Sequence, residues 1–155
     1  MNGDNTLGSE ELLKHLSSLT QSLEKVLDGN AALEPLECAL SSHDALTEKL
    51  ASLGMSPAVA EVLERIEHFI IEQALALYEM AQSAQQQSHI IDCFARHLLA
   101  VEGIGPATAK QLFEANIAFP EQLFGLSPEE IADLPLPPAS LARVTALYEE
   151  HAANQ

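Results

Sequence analysis

Leu12, Leu16, Leu19, Leu23 and Val26 recur at steps of four and three, so they share one face of a helix. Ser9 is suited to cap its start, and Glu10 and Glu11 then stand at the positive end of the helix dipole. Asp28-Gly29 ends it. A second stripe, Leu36, Leu40, Leu46, Leu50 and Leu53, predicts a helix over about 34–53, with Pro35 in its first turn and Gly54 as C-cap. Ser56-Pro57 supplies a capping hydroxyl followed by proline at the first helical position. Val59, Leu63, Ile66, Phe69, Ile70, Leu77 and Met80 follow at helical spacing. Neither proline nor glycine occurs from Ala58 to Glu102, so the third helix is either very long or broken at the weakly apolar stretch 83–88.

No stretch alternates Val, Ile, Thr or Tyr with polar residues, and no sheet is expected. The pattern predicts an all-α fold. A disordered segment over 1–8 precedes an N-terminal helical hairpin or three-helix bundle over 9–88, and a compact helical domain occupies 89–152. Two or three leucine-rich helices make a thin core. A partner helix or a second copy of the chain is expected to cover one face of the first domain, giving it a partner-binding or dimerisation role.

The most informative segment is His97-Leu98-Leu99-Ala100-Val101-Glu102-Gly103-Ile104-Gly105-Pro106-Ala107-Thr108-Ala109-Lys110-Gln111-Leu112-Phe113. Gly103 and Gly105 permit a tight turn that side-chained residues resist. Ile104 between them can plug the space between two helices, and Ala109 is small enough to let those helices approach. Pro106 fits the first position of the second helix, and Asn116 stands where a left-handed cap would close it.

This pattern resembles the helix-hairpin-helix family, and the resemblance runs over about residues 90–150. Phe119-Pro120 then opens a short helix, and Ser127-Pro128-Glu129-Glu130 reads as a capping box opening another. Leu134-Pro135-Leu136-Pro137-Pro138-Ala139-Ser140-Leu141 lies where the doubled form of the family places a second hairpin. Its glycines are absent, so it is expected to be a degenerate hairpin that keeps the packing without the tight turn. The resemblance implies sequence-independent contact to DNA, with backbone N–H groups at the glycine turn and the following helix N-terminus holding a phosphate. Carried over, the nucleic-acid-binding residues are Gly103, Ile104, Gly105, Ala107, Thr108 and Lys110. Gly103, Gly105, Ala107 and Thr108 offer N–H groups, Thr108 adds a hydroxyl, and Lys110 is the nearby cation. The first half is similar in layout to small acidic flagellar export chaperones, with Asp28-Gly29 between two leucine-rich helices and a third after Ser56-Pro57.

Charge works against a strong contact. The 155 residues carry 23 acidic and 7 basic side chains, a net charge of −16. Over 96–155, Arg96, Lys110 and Arg143 face eight acidic residues. DNA-binding members often place a cation just after the proline, where this chain has Ala107, and Glu102 adds a negative charge before the turn. One charged phosphate contact gives a salt slope near about −1, against about −5 to −9 for six to ten contacts. Any DNA binding is therefore expected to be weak and non-specific, and a protein partner or a second copy is the other expected ligand. A purely protein–protein adaptor, or a chaperone-like protein holding an amphipathic client helix, is the alternative reading.

Catalytic signatures are missing. No His-x-x-x-His, Glu-x-x-His, Gly-x-Ser-x-Gly, P-loop or dinucleotide fingerprint occurs. His89, Cys93 and His97 recur every four residues, but on one straight helix they would span roughly 12 Å, too far for one ion. Glu61, Glu64, Glu67 and Glu72 read as a solvated face, and Cys38 and Cys93 as reduced small hydrophobes. The expectation is a non-enzyme with no cofactor and no metal site. No apolar run approaches a membrane span, and Met1-Asn2-Gly3-Asp4 lacks a signal-peptide pattern, so the cytoplasm is the expected location.

Overall fold

Serine hydroxyls at Ser56, Ser83 and Ser127 cap the starts of three helices. The computed structural model describes residues 3–29, 32–81 and 83–155, and among them every regular element is helical. The first three helices are α1 (Gly3–Leu27), α2 (Leu33–Leu53) and α3 (Pro57–Met80). Gly29, at φ +82°, follows α1, and Gly54, at φ +87°, caps α2 with its N–H on the Ala51 carbonyl. The Ser56 hydroxyl accepts from the Val59 N–H at 3.3 Å as α3 begins. The start of α1 lies earlier than Ser9. Residues 3–8, expected to be disordered, extend the helix, and no proline interrupts them. Met1 and Asn2 lie outside the described residues.

The third stripe is broken rather than continuous. After Met80 the chain leaves the helix, and Ser83 caps a new one, α4 (Ala84–Phe94), accepting from the Gln86 N–H at 3.1 Å. The remaining helices are short except the last: α5 (Arg96–Leu99), α6 (Pro106–Glu114), α7 (Pro120–Phe124), α8 (Pro128–Ala132) and α9 (Pro138–Ala153).

The chain divides into two compact units, Met1–Leu77 and Tyr78–Gln155. This boundary lies inside α3 and not near residue 88. The last turn of α3 belongs with the second unit because Tyr78 is bound there. Its ring meets Phe113 edge-on at 5.5 Å, and its hydroxyl donates to Glu114 Oε1 at 2.9 Å.

In the first unit α1 and α2 run antiparallel, as two cross-links show. Ser18 Oγ lies 2.9 Å from Ser42 Oγ, and Lys49 Nζ lies 2.9 Å from Glu11 Oε2. The hydrogen bond and charge of Lys49 hold the Glu11 carboxyl below its usual pKa. His43 ties α2 to α3, with Nε2 2.8 Å from the Leu63 carbonyl. Leu19, Leu36, Leu40, Leu46, Leu63 and Ile70 are buried. The predicted stripes are only partly covered, however: Leu16, Leu53, Val59 and Met80 are exposed. Three helices have too little surface to close over every leucine of their own faces.

The second unit packs α4–α9 around Phe94, Leu98, Leu112, Phe113, Phe119, Leu123, Ile131 and Val144, each at most 2% exposed. Gln122 Oε1 reaches back to accept from the N–H groups of Ala118 and Phe119, which fixes the start of α7. The Ser127 box forms in both directions: Ser127 N–H donates to Glu130 Oε2 at 2.7 Å, and Glu130 N–H donates to Ser127 Oγ at 3.2 Å. Tyr148 donates to the Leu126 carbonyl at 2.6 Å, fastening α9 over this turn.

Tyr78 gives this unit a pH signature. Burial, reinforced by the Glu114 carboxylate, pushes its phenol pKa above the ordinary value. The neutral phenol is favoured by the fold, so the added stability is complete below the unfolded pKa of about 10 and is lost as pH rises beyond it. Urea midpoints measured across that range should fall more steeply for the native chain than for Tyr78→Phe. Equal slopes would contradict the assignment.

Candidate nucleic-acid interface

The end of α5 and the start of α6 are joined by a short bend built on two glycines with different duties. Gly103 has φ +98°, in the left-handed region that side-chained residues avoid. A Cβ there would stand 3.3 Å from Leu147 Cδ2, so α9 presses against this side of the bend. Gly105 has φ −92° and ψ 179°, ordinary extended backbone at the N-cap of α6. A Cβ on it would meet nothing within 4 Å. Gly105 therefore marks open space rather than a forced conformation.

Between them Ile104 is 5% exposed and acts as the plug, with its N–H on the Val101 carbonyl at 3.1 Å. Pro106 takes the first position of α6, and the first closed turn is the bond from Ala109 N–H to the Gly105 carbonyl at 2.9 Å. Ala109 is fully buried, as close helix approach requires. At the far end Asn116 adopts φ +67°, Ile117 N–H returns to the Leu112 carbonyl at 2.9 Å, and Asn116 N–H to the Phe113 carbonyl at 3.0 Å. This is the double bond pattern of a Schellman cap.

The predicted binding residues separate into two groups. Gly103 and Ala107 are exposed, and Gly105 and Lys110 are half-buried. Ile104 and Thr108 are buried, so the Thr108 hydroxyl is not offered at the surface. Thr108 lies one position from Ala109, four from Leu112, and so shares the inward side of α6. The first N–H groups of any helix have no partner within it, and Pro106 removes one of them. Among the described residues, no backbone carbonyl accepts from the N–H of Gly105, Ala107 or Thr108 outside a helix.

A second bend repeats the first in another residue type. Leu136, 9% exposed, stands between Pro135 and Pro137, and Pro138 opens α9 as Pro106 opens α6. The bond from Leu141 N–H to the Pro137 carbonyl, 2.8 Å, matches that from Ala109 to Gly105. Proline at 135 and 137 removes the N–H groups that Gly103 and Gly105 keep at the first bend, while Ala139 and Ser140 follow Pro138 as Ala107 and Thr108 follow Pro106. The α8–α9 bend keeps the packing with fewer main-chain donors in the turn itself. Residues 95–135 match the family model described as SAM-like helix-hairpin-helix tandem. This segment is a helix-hairpin-helix module. No curated protein matches the chain, and no solved structure does. Among the described residues no helix is long and apolar enough to cross a membrane.

Electrostatics at the module are negative. Arg96, Lys110 and Arg143 are the basic residues of Tyr78–Gln155, against ten acidic ones, and Glu102 adjoins the bend. The helix-hairpin-helix module thus offers main-chain donors with a single neighbouring ammonium at Lys110.

The titratable clusters lie elsewhere. Ala95 separates α4 from α5, so His97 leaves the helix that carries His89 and Cys93. The His97 ring lies 5.6 Å from that of Phe119, while Cys93 Sγ is 3.7 Å from His89 Nε2. The first unit gathers His43, Asp44 and Glu67, whose ligand atoms lie within 4.8 Å of one another. His43 Nε2 faces a carbonyl and so carries a proton, while Nδ1 lies 3.2 Å from Asp44 Oδ1. No spacing rule finds this group, because Glu67 arrives from a different helix.

Proposed function

We propose that this chain is a non-enzymatic accessory protein of the cytoplasm whose first hairpin makes a weak, sequence-independent contact to a nucleic-acid phosphate, within an assembly whose other members supply the cations. The observation that carries the reading is the open face of Gly105, where a Cβ would find no atom within 4 Å and the first turn of α6 follows. A phosphate oxygen is a strong acceptor for main-chain donors at a helix N-terminus, and such contacts position a duplex without reading bases.

The charge balance sets the strength. With Lys110 as the one adjoining cation, few counterions are displaced, and affinity on its own is low. Titration of a fluorescent duplex at about 50 mM salt tests this. Lys110→Glu should abolish measurable binding. Ala107→Lys, at an exposed position, should strengthen it and steepen the salt slope by about one. If neither the native chain nor Ala107→Lys binds at low salt, the phosphate reading is wrong. A module used only for protein docking is then the reading left, and the acidity around Glu102 favours it.

A further inference from the structure

A broad apolar surface lies in the first unit and involves no residue of the hairpin. A cleft of about 480 Å³ runs between α1, α2 and α3. Its lining is wholly apolar and includes Leu13 and Leu16 of α1, Leu46 of α2, and Val59, Val62 and Ile66 of α3. Leu13 is 65% exposed, Val62 55% and Leu16 48%. Side chains of this size contribute about 1.5–3 kcal/mol each when fully buried, so leaving several open in one patch marks an interaction site.

The walls select the occupant. All three are helices whose backbone donors and acceptors are bonded internally, so there is no strand edge for an extended peptide to join. With no polar lining, a small polar ligand would find nothing to bond. The wall residues run from Leu12 to Leu19 on α1 and from Ala58 to Ile66 on α3, about 10–12 Å at 1.5 Å per residue. That length accepts two turns of a helix with apolar anchors at i, i+3 or i+4, and i+7.

Charge selects the partner's polar face. Another face of α3 carries Glu61, Glu64 and Glu72; there Arg65 is held by Glu61 at 2.6 Å and His68 lies 3.9 Å from Glu64. Lys49 is likewise held by Glu11. Over residues 1–77 four basic residues face thirteen acidic ones. A second copy would bring the same negative charge to its twin.

We propose that this cleft docks an amphipathic helix of another protein whose apolar stripe is flanked by lysine or arginine. The proposal is independent of the phosphate contact, and either can fail alone.

The probe is a synthetic peptide of about 18 residues with leucine on one face and lysine on the other, titrated by fluorescence anisotropy into the full chain. It should bind and become helical at about 0.15 M salt. A peptide with glutamate in place of lysine should bind at least about tenfold more weakly, and a scrambled leucine–lysine peptide should not bind. Leu16→Glu/Val62→Glu should abolish binding. Leu16→Ala/Val62→Ala, which adds no charge and is milder to the fold, should weaken it about tenfold or more. Circular dichroism and DNA titration should be unchanged in both. Undiminished binding by either variant, equal binding of the glutamate peptide, or no binding by the native chain would overturn the proposal. So would sedimentation showing a dimer that the Leu16/Val62 variants make monomeric, since a second copy would then occupy the cleft.

Discussion

Replacing Phe113 by alanine is expected to remove about 3–5 kcal/mol of stability, the largest loss of any single substitution considered. Phe113 is 1% exposed, on the inner face of α6. Its ring takes the edge of Tyr78 at 5.5 Å. Truncation leaves a void between two helices and removes the aromatic pair, which is worth about 0.5–1.5 kcal/mol beyond the buried area. Tyr78 keeps its bond to Glu114 but loses the surface that orients it. Its burial, which raises its pKa, should lessen, so the alkaline slope should flatten as well. Urea denaturation of the full chain followed by circular dichroism measures the loss. A change below about 1 kcal/mol would mean that the α6 face is not packed as described.

Gly103→Val is the second large effect. A β-branched residue at φ +98° costs roughly 1–3 kcal/mol in backbone strain alone, and its Cβ would press on Leu147, 3.3 Å away. The bend cannot relax easily, because Ile104 is buried on one side and Tyr148 fastens α9 to the Leu126 carbonyl. A loss of about 2–4 kcal/mol is expected, together with loss of duplex binding. Gly105→Ala is the control. Its backbone is extended and its side-chain position is open, so stability should change by less than about 0.5 kcal/mol. Equal destabilisation by the two substitutions would refute the division of duties between the glycines.

Much of the candidate site was legible because the bend is local. Gly-Ile-Gly-Pro, the small residue at 109 and the left-handed Asn116 each act within a few residues of their own position. Caps at Gly54, Ser56 and Ser127 were legible for the same reason: a side chain or a dihedral satisfies its own helix end. Thr108 was harder. Its neighbours in sequence say that it opens a helix, but burial depends on what packs against that side of α6. The cluster of His43, Asp44 and Glu67 was invisible, since it joins two helices through one buried imidazole.

By itself the sequence determined the helical class, the helix ends and the first hairpin, because turn dihedrals, capping bonds and apolar periodicity are properties of short stretches. Only tertiary structure decided which leucines are covered, where α3 changes allegiance at Tyr78, and that the α8–α9 bend repeats the geometry of the first. Those depend on which surfaces meet. An apolar residue on a stripe is core only if another element lies over it, and among the described residues none covers Leu13, Leu16 or Val62.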